Sequence, residues 1–212
     1  MITSSTNDEL RLPDCILLEG IVTTLNDDGS THIAPMGPIV NADFSRMLLR
    51  PYATSSTYKN LKRTGECVLH VTDDVELFAH AAVGRLKKLP RMLAATSVTG
   101  TIITEACRWY ALRVDSIDES SERRQIVCSV VDQGQLRDFF GFNRAKHAVI
   151  EAAILATRVH HMAMSEIVAD MERLAVIVDK TGGRQERAAF AFLRDYLSSQ
   201  PTDDVCVETD GQ

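Results

Sequence analysis

The sequence predicts a mainly β protein with helices: a small barrel over residues 1–135, then a helical subdomain over 136–200 packed on it. Residues 15–131 break into about seven short segments rich in Val, Ile, Leu and Thr, separated at close intervals by Asn, Asp, Gly and Pro turns. Two short helical patterns interrupt those segments. From Asn143 onward the apolar spacing becomes that of a helix.

Residues 1–13 read as a loose lead-in. Cys15 to Leu25 is the first strand, and Asn26-Asp27-Asp28-Gly29-Ser30 is a turn, because Asp and Asn tolerate the left-handed region and Gly favours it. Thr31 to Met36 returns as the second arm of a hairpin. His32, Ala34 and Met36 lie on one face of that arm and Ile33 and Pro35 on the other. Pro35-Met36-Gly37-Pro38 then breaks the strand. Its rigid, donor-poor backbone can be approached closely by something flat, and a bulge at a barrel corner accounts for the same residues. Ile39–Asn41 and Phe44–Arg50 form a further hairpin turned at Ala42-Asp43.

Pro51 ends that strand, and Thr54-Ser55-Ser56-Thr57 caps a short helix that buries Tyr58 and Leu61 and stops at Gly65. Glu66 to Thr72 is a strand with Cys67, Leu69 and Val71 alternating against Val68 and His70. Asp73 or Asp74 caps a helix through Leu77, Phe78, Ala81 and Ala82. Arg85 to Thr96 reads as a loop, with a short helix as the alternative, and Val98–Ala106, Cys107–Ile117 and Gln125–Val131 as strands, the last ended by Asp132-Gln133-Gly134. Asn143 caps an Ala-rich helix to Ala163. Ser165 starts a second that Gly182-Gly183 ends, Glu186 to Leu197 is a third, and residues 201–212 form a disordered acidic tail.

The chain has 212 residues, 45% apolar and 25% charged, with a net charge of −6. That balance gives no electrostatic case for nucleic acid. The five cysteines are far apart and lack metal or redox spacing. With no apolar signal core in residues 1–8 and no bilayer-length apolar run, the expectation is a cytoplasmic protein with no metal and no membrane partner.

The hydroxyl-rich stretch carries the chemistry. A helix start leaves backbone N–H groups unpaired and its dipole favours negative charge, so Thr54, Ser55, Ser56 and Thr57, with Arg50 nearby, make a natural phosphate site. A capped surface helix without ligand fits the same residues. Asn60, one turn along, can bond the turn or a hydroxylated ligand.

The runs Leu18-Glu19-Gly20-Ile21-Val22-Thr23-Thr24, Ala34-Pro35-Met36-Gly37, Leu49-Arg50-Pro51-Tyr52 and Ser56-Thr57-Tyr58-Lys59-Asn60-Leu61, in this order, resemble the family called domain of unknown function 447 (DUF447). So does Phe142-Asn143-Arg144-Ala145-Lys146-His147-Ala148, followed by Ala156-Thr157-Arg158. That family resembles the flavin-reductase-like split barrels. The resemblance implies an FMN-binding split β-barrel plus a C-terminal helical subdomain, with FMN held at a homodimer interface. It also implies the phosphate in the Ser/Thr turn and the ring near Pro35-Met36-Gly37. Members are associated with methanopterin-dependent one-carbon metabolism.

The expected function is therefore that of an FMN-binding, flavin-dependent oxidoreductase acting on a small-molecule substrate or electron donor. A non-catalytic flavin carrier or sensor, and a flavin-free assembly subunit, stay open. His32 can face the flavin or be an exposed strand residue. Arg144 can reach a second anionic group or pair with a carboxylate. No acid or base is named, and no Gly-x-Ser-x-Gly elbow raises a serine nucleophile.

Overall fold

A computed structural model describes residues 15–139 and 141–200, so the lead-in at 1–13, the tail at 201–212 and Cys206 lie outside the described residues. The chain divides into two compact units: residues up to Asp73 with Lys87–Phe139, and Asp74–Leu86 with the residues from 141 onward. In order, the first unit holds β1 (Ile16–Leu17), β2 (Gly20–Leu25), β3 (Thr31–Met36), β4 (Ile39–Val40), β5 (Arg46–Leu49), α1 (Ser56–Thr64) and β6 (Glu66–Val71). Then α2 (Val75–Ala82) enters the second unit. The chain returns with β7 (Met92–Ala94), β8 (Thr101–Ile103), β9 (Arg108–Asp118) and β10 (Gln125–Gln135).

Eight strands form one curled antiparallel sheet in the order β1-β4-β5-β10-β9-β6-β2-β3. The first predicted strand, Cys15 to Leu25, divides into β1 and β2 at a bend. The opposing arm divides into β3 and β4 at the same level. Leu17 stands opposite Ile39 and Gly20 opposite Met36, so two residues intervene on each arm and the register is unbroken. The Pro35–Pro38 corner is thus a bend without the inserted residue of a bulge. One half of this long hairpin pairs with β5 and the other with β6, so the hairpin closes the sheet into a six-stranded barrel. Gly20 is required here: a Cβ would lie 2.7 Å from the His70 carbonyl oxygen.

The turns of the two hairpins are built alike. Asn26 and Asn41 each donate to a serine hydroxyl four residues on, at 3.0 Å. The carboxylates of Asp28 and Asp43 each accept from the backbone and hydroxyl of Ser30 and Ser45. The left-handed position is Gly29 in one and Phe44, at φ 58°, in the other. Phe44 tolerates it while its ring stacks on Tyr110, centroids 5.7 Å apart.

Alternation divides the barrel strands into two faces. Val22, Met47, Leu49, Cys67, Leu69, Tyr110, Leu112, Ile126 and Cys128 fill the interior, with Tyr58 and Leu61 of α1 added. Burial pushes the Cys67 thiol up to about 12, and Cys128 well above its usual range. On the outer face Val68, Val98, Ile102 and Ala111 cluster beneath residues 87–106. That segment differs from expectation. The predicted loop contains β7, and the predicted strand Val98–Ala106 shortens to β8, because the two pair with each other and not with the barrel. β10 also runs through Asp132-Gln133-Gly134. A register shift before Asp132 absorbs the irregularity, and the Trp109 indole occupies the space a Cβ on Gly134 would need.

In the second unit, α2 is capped by Asp74 and accompanies α3 (Arg144–Ala156), α4 (Met164–Thr181) and α5 (Arg184–Ser198). Ala145, Ala148, Ala152, Ala153 and Ala156 give α3 a fully buried small face. Asn143 caps it, accepting from the Lys146 N–H. It stops at Ala156, short of the expected Ala163, where Thr157 bonds back to the Ile154 carbonyl. α4 begins at Met164, so Ser165 lies inside it and is no cap. α5 starts at Arg184, two residues before the expected Glu186, which accepts from the Gly183 N–H at 2.8 Å and pairs with Lys146 at 2.8 Å.

Candidate functional site

At the handover from β5 to α1, Ser55 is the N-cap. Its hydroxyl accepts from the Tyr58 N–H at 3.2 Å and donates to the Tyr52 carbonyl at 2.7 Å, so both its capacities are used inside the chain. Thr54 and Ser56 are exposed. Thr57 is 2% exposed, and among the described residues its hydroxyl has no hydrogen bond. The first turn of α1 carries no acidic residue, while Lys62 and Arg63 stand in its last turn. The positive end of the helix is therefore not neutralised locally and favours an anion.

Asn60, 6% exposed, does not bond the Ser/Thr turn as expected but reaches the first hairpin instead. Its Nδ2 donates to Thr24 Oγ1 at 3.0 Å and to Asn26 Oδ1 at 2.9 Å, tying α1 to the first hairpin. Ser56, Lys59, Asn60 and Arg63 line an open cleft of about 550 Å³ with Asn26, Asp27 and Asp28. Arg63 is held there by Asp27 and by the Leu25 carbonyl.

His32 stands opposite Thr24, the residue that bonds Asn60, so it shares the α1 side of the hairpin. It is half-buried, and burial lowers its pKa. Met36 lies on the same face and packs on the barrel interior, whereas Pro35, opposite Ile21, is on the other. Gly37 sits at the bend, where a Cβ would meet Leu17 Cδ2 at 3.0 Å and the Glu19 carboxylate at 3.3 Å. Pro35, Met36 and Gly37 therefore do not present one common surface.

Arg50 is the unusual residue. Among the described residues its buried Nε has no hydrogen-bond partner and its guanidinium has no ion pair. Leu48 belongs to the outer cluster of Cys15, Ile39 and Val127, and alternation puts Arg50 and then Tyr52 on that same outer face. Tyr52 bridges to Arg123, whose guanidinium lies 4.7 Å from the Tyr52 ring centroid. Arg124 is on the inner side, 5.6 Å from the Tyr58 centroid. It donates to the Ser121 carbonyl at 2.7 Å and to that of Glu119.

Arg144, the exposed first residue of α3, belongs to the helical unit, and among the described residues it has no ion pair. The structure thus brings Thr54, Ser55, Ser56, Thr57, Asn60 and His32 to one end of the barrel. Sequence reasoning passed over Tyr52, Lys59, Arg123 and Arg124. Their signal was two adjacent arginines just ahead of the strand that pairs with Met47–Leu49, a register that carries them opposite Pro51 and Tyr52. Among the described residues no His, Cys, Asp and Glu group is arranged to hold a metal, and no helix is long and apolar enough to cross a membrane.

Two family models match the sequence: "Protein of unknown function (DUF447) N-terminal domain" over residues 18–137 and "Protein of unknown function (DUF447)" over 143–195. Among solved structures, an FMN-bound DUF447 protein of Methanosarcina mazei is similar at TM-score 0.71 and 19% identity, covering 90% of this chain and 98% of that one. Flavoredoxin of Methanosarcina acetivorans (TM-score 0.49, 14% identity) covers 56% of this chain and 68% of its own. The styrene monooxygenase flavin reductase of Pseudomonas putida (TM-score 0.46, 11% identity) covers 56% and 80%. No curated protein matches.

Proposed function

This chain belongs to the DUF447 family, and on that premise we propose that it binds FMN and works as a flavin-dependent oxidoreductase on a small molecule. The observation that carries the reading is the orphaned Nε of Arg50, five residues ahead of the N-cap Ser55 of the hydroxyl-rich helix start. A buried guanidinium N–H without a partner is costly, and a phosphate relieves the cost with charge-assisted hydrogen bonds. The M. mazei relative of the same fold is an FMN-bound protein, which supports this choice of phosphate ligand.

In this reading Arg50 neutralises the phosphate. The Ser56 and Thr57 backbone amides, unpaired in the first turn of α1, donate to it with the Thr54, Ser56 and Thr57 hydroxyls. Ser55 holds the helix start in place. Asn60 keeps α1 fixed against the hairpin that bears His32, and the ring lies near the Pro35–Pro38 bend. FMN, when bound, supplies the electron transfer, and the protein supplies position and electrostatics. The working form is a homodimer in the cytoplasm, and a pterin is the first substrate to try.

Purified protein should show the flavin absorption bands, and ligand released by denaturation should be FMN. Arg50→Met should abolish retention. A colourless protein that FMN does not titrate would overturn the reading. The fully engaged Ser55 hydroxyl favours the second reading, a capped helix in a flavin-free subunit, and that same result would select it. Anaerobic reduction of bound flavin by a nicotinamide cofactor, with and without pterin, separates an enzyme from a carrier.

A further inference from the structure

We propose that Arg123 is a second cationic ligand of the phosphate, which matches the site to a phosphomonoester dianion; this rests on the FMN reading above. Tyr52 and Arg123 are directly opposed across the bridge, and Leu48 is directly opposed to Val127. Counting along both strands, Arg50 falls one diagonal step from Arg123 on the same outer face. Cross-strand diagonal neighbours stand roughly 7–8 Å apart at Cα, within reach of two arginine side chains. The register therefore places the two arginines as cross-strand neighbours on one face.

Among the described residues neither has a carboxylate partner. Glu119, at the tip of the β9–β10 hairpin, pairs with Lys62 at 2.9 Å. The Asp118 carboxylate accepts from the Ser120 N–H at 2.8 Å. Two adjacent like charges repel, and the Tyr52 ring, whose face attracts the Arg123 guanidinium, holds that group in position without neutralising it. A single anion of charge near −2 balances both. A phosphomonoester carries that charge above its second pKa of about 6, and a planar guanidinium fits two of its oxygens at once. A phosphodiester, or the single negative charge of a carboxylate, leaves one arginine uncompensated.

The test uses the full chain freed of bound flavin, titrated at pH 8 with FMN and with riboflavin and followed by flavin fluorescence. Wild type should prefer FMN over riboflavin. Arg123→Ala should weaken FMN binding about tenfold and leave riboflavin binding unchanged, and Arg123→Lys should recover part of the loss. Arg50→Met runs in parallel. FMN affinity within twofold of wild type in Arg123→Ala, with Arg50→Met impaired, overturns the role of Arg123 and leaves the phosphate site standing. Equal losses for FMN and riboflavin in Arg123→Ala overturn it too, since Arg123 then acts on the fold. Absence of FMN preference in wild type overturns the phosphate reading and this proposal together.

Discussion

His70 Nε2 accepts a 3.0 Å hydrogen bond from the backbone N–H of Ile103, which pins the β7–β8 hairpin to the barrel wall. On the other side of the ring, Nδ1 lies 3.1 Å from the Ile21 carbonyl oxygen. Only the neutral tautomer with the proton on Nδ1 makes both bonds.

Burial pushes the His70 pKa down from 6.5 to about 4. As pH falls, protons bind the unfolded chain first. The contribution to stability is complete above about pH 6.5 and is lost as pH drops through about 4, a change of about 3 kcal/mol. Urea unfolding between pH 7.5 and 4 should show this slope in wild type and a flatter one in His70→Asn. Parallel curves would remove His70 as its source.

Gly20→Ala places a methyl 2.7 Å from the His70 carbonyl oxygen, a backbone atom of a central strand that cannot yield. It should destabilise the protein by about 2 kcal/mol or more, read as a lower urea midpoint at unchanged m-value.

Asn60→Asp removes the two donors that hold α1 to Thr24 and Asn26. The expected cost is about 1–3 kcal/mol, together with weaker flavin retention as the phosphate turn loses its anchor. Calorimetry with and without FMN separates the two effects.

Arg50→Met should leave the flavin-free protein as stable as wild type or slightly more so, since it removes a buried polar atom that has no partner. Wild type should gain thermal stability with added FMN, and the variant should not. A variant that loses stability without ligand would mean that Arg50 serves the fold.

Cys67 and Cys128, with thiols raised far above neutrality by burial, should resist alkylation in the native protein and react on unfolding. Mass spectrometry of alkylated native and urea-treated samples reads this directly.

Where local chemistry decides, the sequence was legible. Thr31–Met36, the α1 stop at Gly65, the Asp74 and Asn143 caps and the alternation in β6 all follow from residue type and spacing. It failed where distant contacts decide. Gly134 reads as a terminator, but it is a seat for Trp109, which lies across the strand pair. Val98–Ala106 looks like a barrel strand because its apolar residues are buried, yet they are buried against the outside of the wall. Ser55 and Thr57 read alike as phosphate donors, although one hydroxyl is spent on the cap and the other has no hydrogen bond among the described residues. The cross-strand placement of Arg50 and Arg123 could not be read because it depends on a register between segments some seventy residues apart.

The bent hairpin of residues 16–40 supplies both seams of the barrel from one continuous piece of chain. A slip of a single residue at its Asn26–Ser30 tip would turn side chains inside out along both joins at once, so misfolding there has no partly correct version. Cutting the chain at that tip and joining the ends elsewhere should therefore harm folding more than a cut at the Asp118–Arg123 tip, where only one join is at stake.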